Sequence, residues 1–183
     1  GSAEISSYVY WGKAGGGFEP TPTGLRTVGA EDVRVADLDG DGKLDLVFAN
    51  LKNNLQSYAV DTYIYLNGGS RTFPASPSAR LPATGAKAVA VADLDGTGRK
   101  DIVLACEFNG TGYNASSVVY LGGATGWPSA PSFTLPTSGA TSGRSPSPAR
   151  PAPPAAAPFR PAWRPARLPW ASHPGAAPSS SRA

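Results

Sequence analysis

Residues 37–45 of the chain are Asp37-Leu38-Asp39-Gly40-Asp41-Gly42-Lys43-Leu44-Asp45. Four carboxylates fall at positions 1, 3, 5 and 9 of this loop, and two glycines supply its sharp turns. Acids this close repel one another unless a cation lies among them. Alternating oxygen ligands in a Gly-containing turn suit calcium, which takes six to eight oxygens at about 2.3–2.6 Å.

The same pattern returns further along the chain, at positions 93–101. We predict one Ca²⁺ ion in each loop. The predicted ligands are side-chain oxygens plus one main-chain carbonyl per loop: Asp37, Asp39, Asp41, Asp45 and the Lys43 carbonyl, then Asp93, Asp95, Thr97, Asp101 and the Arg99 carbonyl. We expect weaker binding at the second loop, because Thr97 replaces an acid and Arg99 is followed by Lys100. The alternative is a pair of acidic surface turns without an ion.

The loops are not EF-hand loops, although the first begins with the same spacing of acids. An EF-hand loop closes with a bidentate glutamate at position 12 and is flanked by helices. Phe48 and Leu104 stand at that position here. The predicted ion therefore does not join two helices.

The residues around each loop predict β-strands. Val33 and Val35 alternate with charged residues before the first loop, and residues 44–49 form a largely apolar run after it. Residues 88–92 and 102–106 flank the second loop in the same way. Short β-branched and apolar runs bounded by turn residues are typical of strands. Each loop is therefore predicted to join the two strands of a hairpin.

A repeat with a period of about 55 residues runs through most of the chain. Tyr10, Tyr65 and Tyr120 are evenly spaced at this period, each inside a short apolar segment. A fixed period with short strands and Gly/Pro turns is typical of all-β repeat arrays. The Tyr-x-Tyr alternation forms either a strand face packed between neighbouring blades or a platform on which sugars stack.

The acidic loop, the segment Leu-Asp-Leu-Val-Phe-Ala-Asn at residues 44–50 and the repeat period resemble the FG-GAP repeat family, also called VCBS-like or integrin-alpha-like repeats. The resemblance covers about residues 5–141. It implies a β-propeller with calcium in a loop between strands of a blade, and an extracellular setting. Since a propeller needs about four to eight blades, we expect an all-β, β-propeller fragment of about two to three blades, with at least one sheet flank lacking a neighbouring blade.

The charge of the chain is divided between two regions. Residues 1–143 carry 13 acidic and 10 basic residues, whereas residues 144–183 carry six arginines and no acid. The net charge of +3 therefore does not indicate nucleic-acid binding.

The only cysteine, Cys106, lies in an apolar run and is expected to be a buried small hydrophobe. The only histidine, His173, lies in the basic region, which excludes His-based triads from the repeats.

Residues 144–183 have a composition unlike the repeats. They contain 11 of the 19 prolines and no Val, Ile, Thr, Asp, Glu, Lys or Asn. Such a segment lacks hydrogen-bond donors for a sheet and cannot build a core. We therefore divide the chain into repeats at residues 1–143 and a disordered low-complexity tail at residues 144–183. The tail is either the out-of-frame product of GC-rich DNA or a natural proline-rich linker or partner-binding segment.

Together these features predict a non-catalytic, calcium-binding repeat module that serves binding or adhesion outside the cell or at its surface. The expected partners are a glycan or a cell-surface protein, and the neighbouring blades of a longer parent chain. No apolar run is long enough to span a membrane. We expect no signal peptide within this chain, and one could lie upstream. The alternatives are an accessory repeat module of a secreted enzyme, a structural spacer, or a truncated product without function.

Overall fold

A computed structural model describes residues 5–142 of the 183-residue chain. Within this range the chain forms ten β-strands and no helix, which confirms the all-β prediction. The strands are β1 (Ile5–Val9), β2 (Thr23–Thr27), β3 (Ala30–Ala36), β4 (Asp45–Asn50), β5 (Thr62–Tyr65), β6 (Ala79–Leu81), β7 (Ala86–Ala92), β8 (Asp101–Cys106), β9 (Ser117–Tyr120) and β10 (Phe133–Leu135). The predicted tail at residues 144–183, and with it the domain boundary, lies outside the described residues.

The ten strands form three antiparallel sheets. Strands β3-β4-β5-β6 make one four-stranded sheet and β7-β8-β9-β10 make another, each in chain order. Strands β1 and β2 form a two-stranded sheet. Tyr8 in β1 precedes Tyr63 in β5 by one repeat period, so this hairpin corresponds to the last two strands of a four-stranded unit. Two full units and half of another are consistent with the expected two to three blades.

The predicted hairpins are present at both acidic loops. Strand β3 pairs with β4 up to Ala36 opposite Asp45. Strand β7 pairs with β8 up to Ala92 opposite Asp101. Each loop is thus closed by a ladder pair in which the last acid of the pattern is the first residue of the second strand.

Two hydrophobic clusters hold the sheets together. The hairpin cluster joins β1–β2 to the first four-stranded sheet and contains Leu25, Leu46, Phe48, Tyr63 and Tyr65. The inter-sheet cluster joins the two four-stranded sheets, and its larger members are Leu38, Val47, Ile64, Leu81, Val89, Ile102, Leu104, Val118 and Tyr120. Burial of this apolar surface is the main favourable contribution to folding.

Strand β4 belongs to both clusters because it is covered on both faces. All six of its residues are buried. Leu46 and Phe48 point into the hairpin cluster, whereas Val47 and Ala49 point into the inter-sheet cluster. Successive side chains of a strand face opposite sides of the sheet, so β4 contributes side chains to both clusters.

The repeated tyrosines are packed wherever a preceding unit covers them. Tyr65 is buried and donates its hydroxyl hydrogen to the Arg26 carbonyl at 2.6 Å. Tyr120 is buried in the same way and donates to the Pro82 carbonyl. Tyr10 is 53% exposed. Of the two interpretations of the Tyr-x-Tyr alternation, the packed strand face holds for Tyr65 and Tyr120.

Valines on the first strand of each four-stranded sheet show the effect of a missing neighbour. Val89 in β7 is fully buried against the first sheet. Val33, which occupies the equivalent repeat position in β3, is 39% exposed, and Val35 is 56% exposed. Because β1–β2 supplies only two strands on that side, these valines have no full sheet to cover them within residues 5–142. This exposed face of β3 is a sheet flank without a full neighbouring blade, as expected for a propeller fragment.

Glycine is required where the chain enters each four-stranded sheet. Gly29 and Gly85 precede β3 and β7 with φ of +57° and +66°. A Cβ atom would lie 2.2 Å from the Lys52 carbonyl oxygen at Gly29, and 1.9 Å from the Phe108 carbonyl oxygen at Gly85. No residue with a side chain fits these two positions without a shift of the backbone.

Candidate metal centres

The two acidic loops share one backbone design. In the first loop Gly40 and Gly42 have φ of +83° and +82°. In the second, Gly96 and Gly98 have φ of +76° and +83°. Glycine adopts this left-handed conformation at little steric cost, and it lets a short loop curl its acids toward a common centre.

Three carboxylates meet in each loop. In each group, one oxygen from every member lies within 4.8 Å of those from the other two. The members occupy pattern positions 1, 3 and 9: Asp37, Asp39 and Asp45 in the first loop, and Asp93, Asp95 and Asp101 in the second. Oxygens bound to one calcium at about 2.4 Å can be at most about 4.8 Å apart. Both groups could therefore hold a metal ion of this size.

The first acid of each loop is oriented by main-chain N–H groups. Asp37 accepts hydrogen bonds from the Gly40 N–H at 2.8 Å and from the Gly42 N–H at 3.0 Å. Asp93 accepts one from the Gly98 N–H at 2.8 Å. These bonds fix the orientation of the two carboxylates within their loops.

The last acid of each loop is buried and joins the loop to a second hairpin. Asp45 accepts the Leu38 N–H within its own loop and the Asn67 N–H from the β5–β6 connection, each at 2.8 Å. Burial raises the pKa of Asp45, with a smaller contribution from the charges of Asp39 and Asp41, while the two N–H donors oppose the rise. A cation at this position would offset the cost of keeping that carboxylate charged.

Asp101 repeats this arrangement in the second loop. It is buried and accepts the Leu94 N–H at 2.6 Å and the Gly122 N–H at 2.7 Å. Gly122 lies in the β9–β10 connection, one repeat period after Asn67. The two loops are thus tied to the rest of their sheets through the same main-chain contacts.

The group of three in the first loop does not include Asp41. Its carboxylate accepts the Lys43 N–H at 2.8 Å and forms an ion pair with the Lys43 ammonium. The hydrogen bonds with Lys43 lower the pKa of Asp41. In the second loop, hydrogen bonds from Thr97 lower the pKa of Asp95. Ligand roles for Asp41, for Thr97 and for the Lys43 and Arg99 carbonyls remain predictions.

The donor set fits a hard cation. Each group offers only carboxylate oxygens, and residues 5–142 contain no histidine. Cys106 is buried, as expected, and burial raises the pKa of its thiol to about 11. Oxygen-only sites suit calcium or magnesium better than softer ions, which prefer nitrogen and sulfur ligands.

Sequence reasoning missed the two main-chain groups that anchor the buried acids. Asn67 and Gly122 lie far beyond Asp45 and Asp101 in the chain, so neither belongs to the loop pattern. The repeat could have pointed to both residues, because Asn67 and Gly122 each follow a Tyr-Leu pair at the end of β5 or β9.

The fold and the paired acidic loops define a repeat module of the β-propeller type. An FG-GAP-like repeat model matches residues 6–48 and 37–104, and the chain belongs to this family. No curated protein matches the chain. Among the described residues, no helix is long and apolar enough to cross a membrane.

Proposed function

We propose that this chain is a calcium-binding repeat module of an extracellular or cell-surface protein, and that it serves binding or adhesion. The observation that carries the proposal is the meeting of three carboxylates within 4.8 Å in both loops. Their mutual repulsion is relieved by a bound cation. Calcium sites of extracellular modules have dissociation constants of about 0.1–1 mM, which matches a setting where calcium is plentiful.

A non-catalytic role is part of the proposal. Acids of both loops already accept hydrogen bonds from main-chain N–H groups, and the proposed role of these acids is to hold an ion. Cys106 is buried with a pKa of about 11, so it is a poor nucleophile near neutral pH. The proposed partners are a glycan or cell-surface protein and the neighbouring blades of a longer parent chain.

The proposal is tested by calorimetric calcium titration of the full chain after removal of divalent ions. We expect two sites per chain. Asp39→Asn and Asp95→Asn should each remove or weaken one site, because both residues belong to the acidic groups. Both side chains are exposed, so the substitutions should leave the fold intact. Glu19→Gln is the matched control, since this acid lies outside both loops and forms only surface ion pairs. A folded chain that binds no calcium would overturn the proposal.

A thermal melt gives an independent measure. With about 1 mM calcium and a dissociation constant near 0.1 mM, each site adds about 1.4 kcal/mol to the free energy of unfolding. Two sites should raise the Tm by roughly 10 °C. Magnesium at the same concentration should raise it less, because magnesium gives up its water ligands reluctantly. Equal shifts with both ions would argue against sites built for calcium.

A further inference from the structure

A cleft of about 740 Å³ lies between the two acidic loops. Residues 37–40 of the first loop and Leu66 line one part of it, and residues 97–100 of the second loop line another. Residues 122–127 of the β9–β10 connection complete the lining. Small-molecule sites measure about 300–1,000 Å³, so the cleft has the size of a site for a short oligomer.

Two cations that line this cleft form no ion pair with any acid in the described part of the chain. Arg99 and Lys100 both line it, and neither forms an ion pair with another residue in the range 5–142. By contrast, Lys43 and Lys87 are paired with acids. Unpaired cations in a cleft concentrate the local field and attract anions.

The acids that line the cleft make its charge depend on calcium. Asp37 and Asp39 belong to the first acidic group and also border the cleft. Without an ion, their negative charges offset those of Arg99 and Lys100. A divalent ion on the first loop offsets two of the three negative charges of Asp37, Asp39 and Asp45, so the surroundings of Arg99 and Lys100 become less negative and repel an anionic ligand less.

The rest of the lining suits a ring with many hydroxyl groups. The Trp127 N–H donates to the Lys100 carbonyl at 2.8 Å, which fixes the indole, and the partly buried side chain lines the cleft while packing against the inter-sheet cluster. Gly122, Gly123 and Gly126 line the cleft beside it. A Cβ atom at Gly126 would meet nothing within 4 Å, so the backbone there is open to a ligand, whereas Cβ atoms at Gly122 and Gly123 would face the Lys100 and Gly126 carbonyl oxygens. An aromatic surface with nearby polar groups and cations suits a sugar that carries an acidic group.

We propose that this cleft binds an anionic saccharide, with the acidic group at Arg99 and Lys100 and a sugar ring against Trp127. The proposal rests on the proposed function, because calcium on the first loop reduces the negative charge that opposes an anionic ligand in the cleft. The acidic group is a carboxylate or a sulfate, because the two cations can form charge-assisted hydrogen bonds with either anion.

The test measures saccharide binding to the full chain by calorimetry, in calcium and in excess chelator. Three hexasaccharide probes separate the chemistries: unsulfated chondroitin carries only carboxylates, carboxyl-reduced chondroitin sulfate carries only sulfates, and chitohexaose is neutral. Arg99→Gln and Lys100→Gln each remove one cation. Lys13→Gln removes a cation outside the cleft and is the matched control.

We expect one or both acidic probes to bind in calcium, and chitohexaose not to bind. Loss of one charge-assisted hydrogen bond should weaken binding about tenfold in Arg99→Gln and Lys100→Gln, with Lys13→Gln unchanged. Binding that survives both cleft substitutions, or that is equal in calcium and chelator, would overturn the inference. Two calcium ions per chain without any binding of an acidic probe would also overturn it while leaving the proposed function intact, whereas a folded chain that binds no calcium would overturn both.

Discussion

Replacement of Gly85 by alanine should destabilise the protein far more than an ordinary glycine substitution. Gly85 has φ of +66°, and a Cβ atom there would lie 1.9 Å from the Phe108 carbonyl oxygen and 2.9 Å from its carbon. The obstacle is backbone and not the end of a flexible side chain. Alanine can therefore be accommodated only if the two backbone segments move apart.

The magnitude follows from the contacts that such a movement disturbs. The left-handed conformation alone costs alanine about 1–2 kcal/mol. The movement also stretches the hydrogen bonds from the Gly85 N–H to the Tyr58 carbonyl, at 2.7 Å, and from the Glu107 N–H to the Gly85 carbonyl, at 2.9 Å. Each is worth about 1 kcal/mol, so the total loss is about 3–4 kcal/mol.

Gly139→Ala is the matched control for backbone strain. Gly139 has φ of +60°, close to that of Gly85, but a Cβ atom there meets nothing within 4 Å. Urea unfolding of the full chain at one fixed calcium concentration should show a loss of about 1–2 kcal/mol for this variant. The difference between the two variants isolates the steric contribution. Equal losses in Gly85→Ala and Gly139→Ala would refute the steric argument.

Three further predictions concern titratable groups. Burial raises the pKa of Cys106 to about 11, so its thiol should resist Ellman's reagent at pH 8 in the folded protein and react after denaturation; rapid reaction of the folded protein would contradict this. Burial also raises the pKa of Tyr120 to about 12, so in a pH titration its absorbance change at 295 nm should occur at higher pH than that of an exposed tyrosine. Its contribution to the free energy of unfolding should fall as pH rises from about 10 to 12. Lys43→Ala should tighten calcium binding at the first loop a few-fold, because the Lys43 ammonium competes with calcium for Asp41; weaker binding in a calorimetric titration would count against that competition.

Local pattern was sufficient to predict the hairpins and the acidic groups. The spacing of Asp37, Asp39 and Asp45 is set within one short loop, and the glycines between them leave few backbone conformations that avoid strain. The apolar runs on either side have the length and residue types of strands. Each of these features depends on neighbours in sequence, so the sequence contains the information needed.

Other features could not be predicted from the local sequence pattern. The N–H of Asn67 reaches Asp45 only because the β5–β6 connection folds back over the loop. The ion pair between Asp41 and Lys43 is local, but it depends on a side-chain rotamer that spacing does not specify. Val33 and Val89 occupy equivalent repeat positions, yet their exposure differs because only Val89 faces a complete sheet.

The two-sided burial of β4 has a consequence for how the protein unfolds. Loss of the hairpin cluster would expose Leu46 and Phe48 and loosen the strand that also carries Val47 and Ala49. Neither cluster can therefore melt while the other keeps its full set of contacts. We therefore expect the two clusters to unfold as a single cooperative unit, and the amide hydrogens of β4 to be among the slowest of residues 5–142 to exchange with solvent.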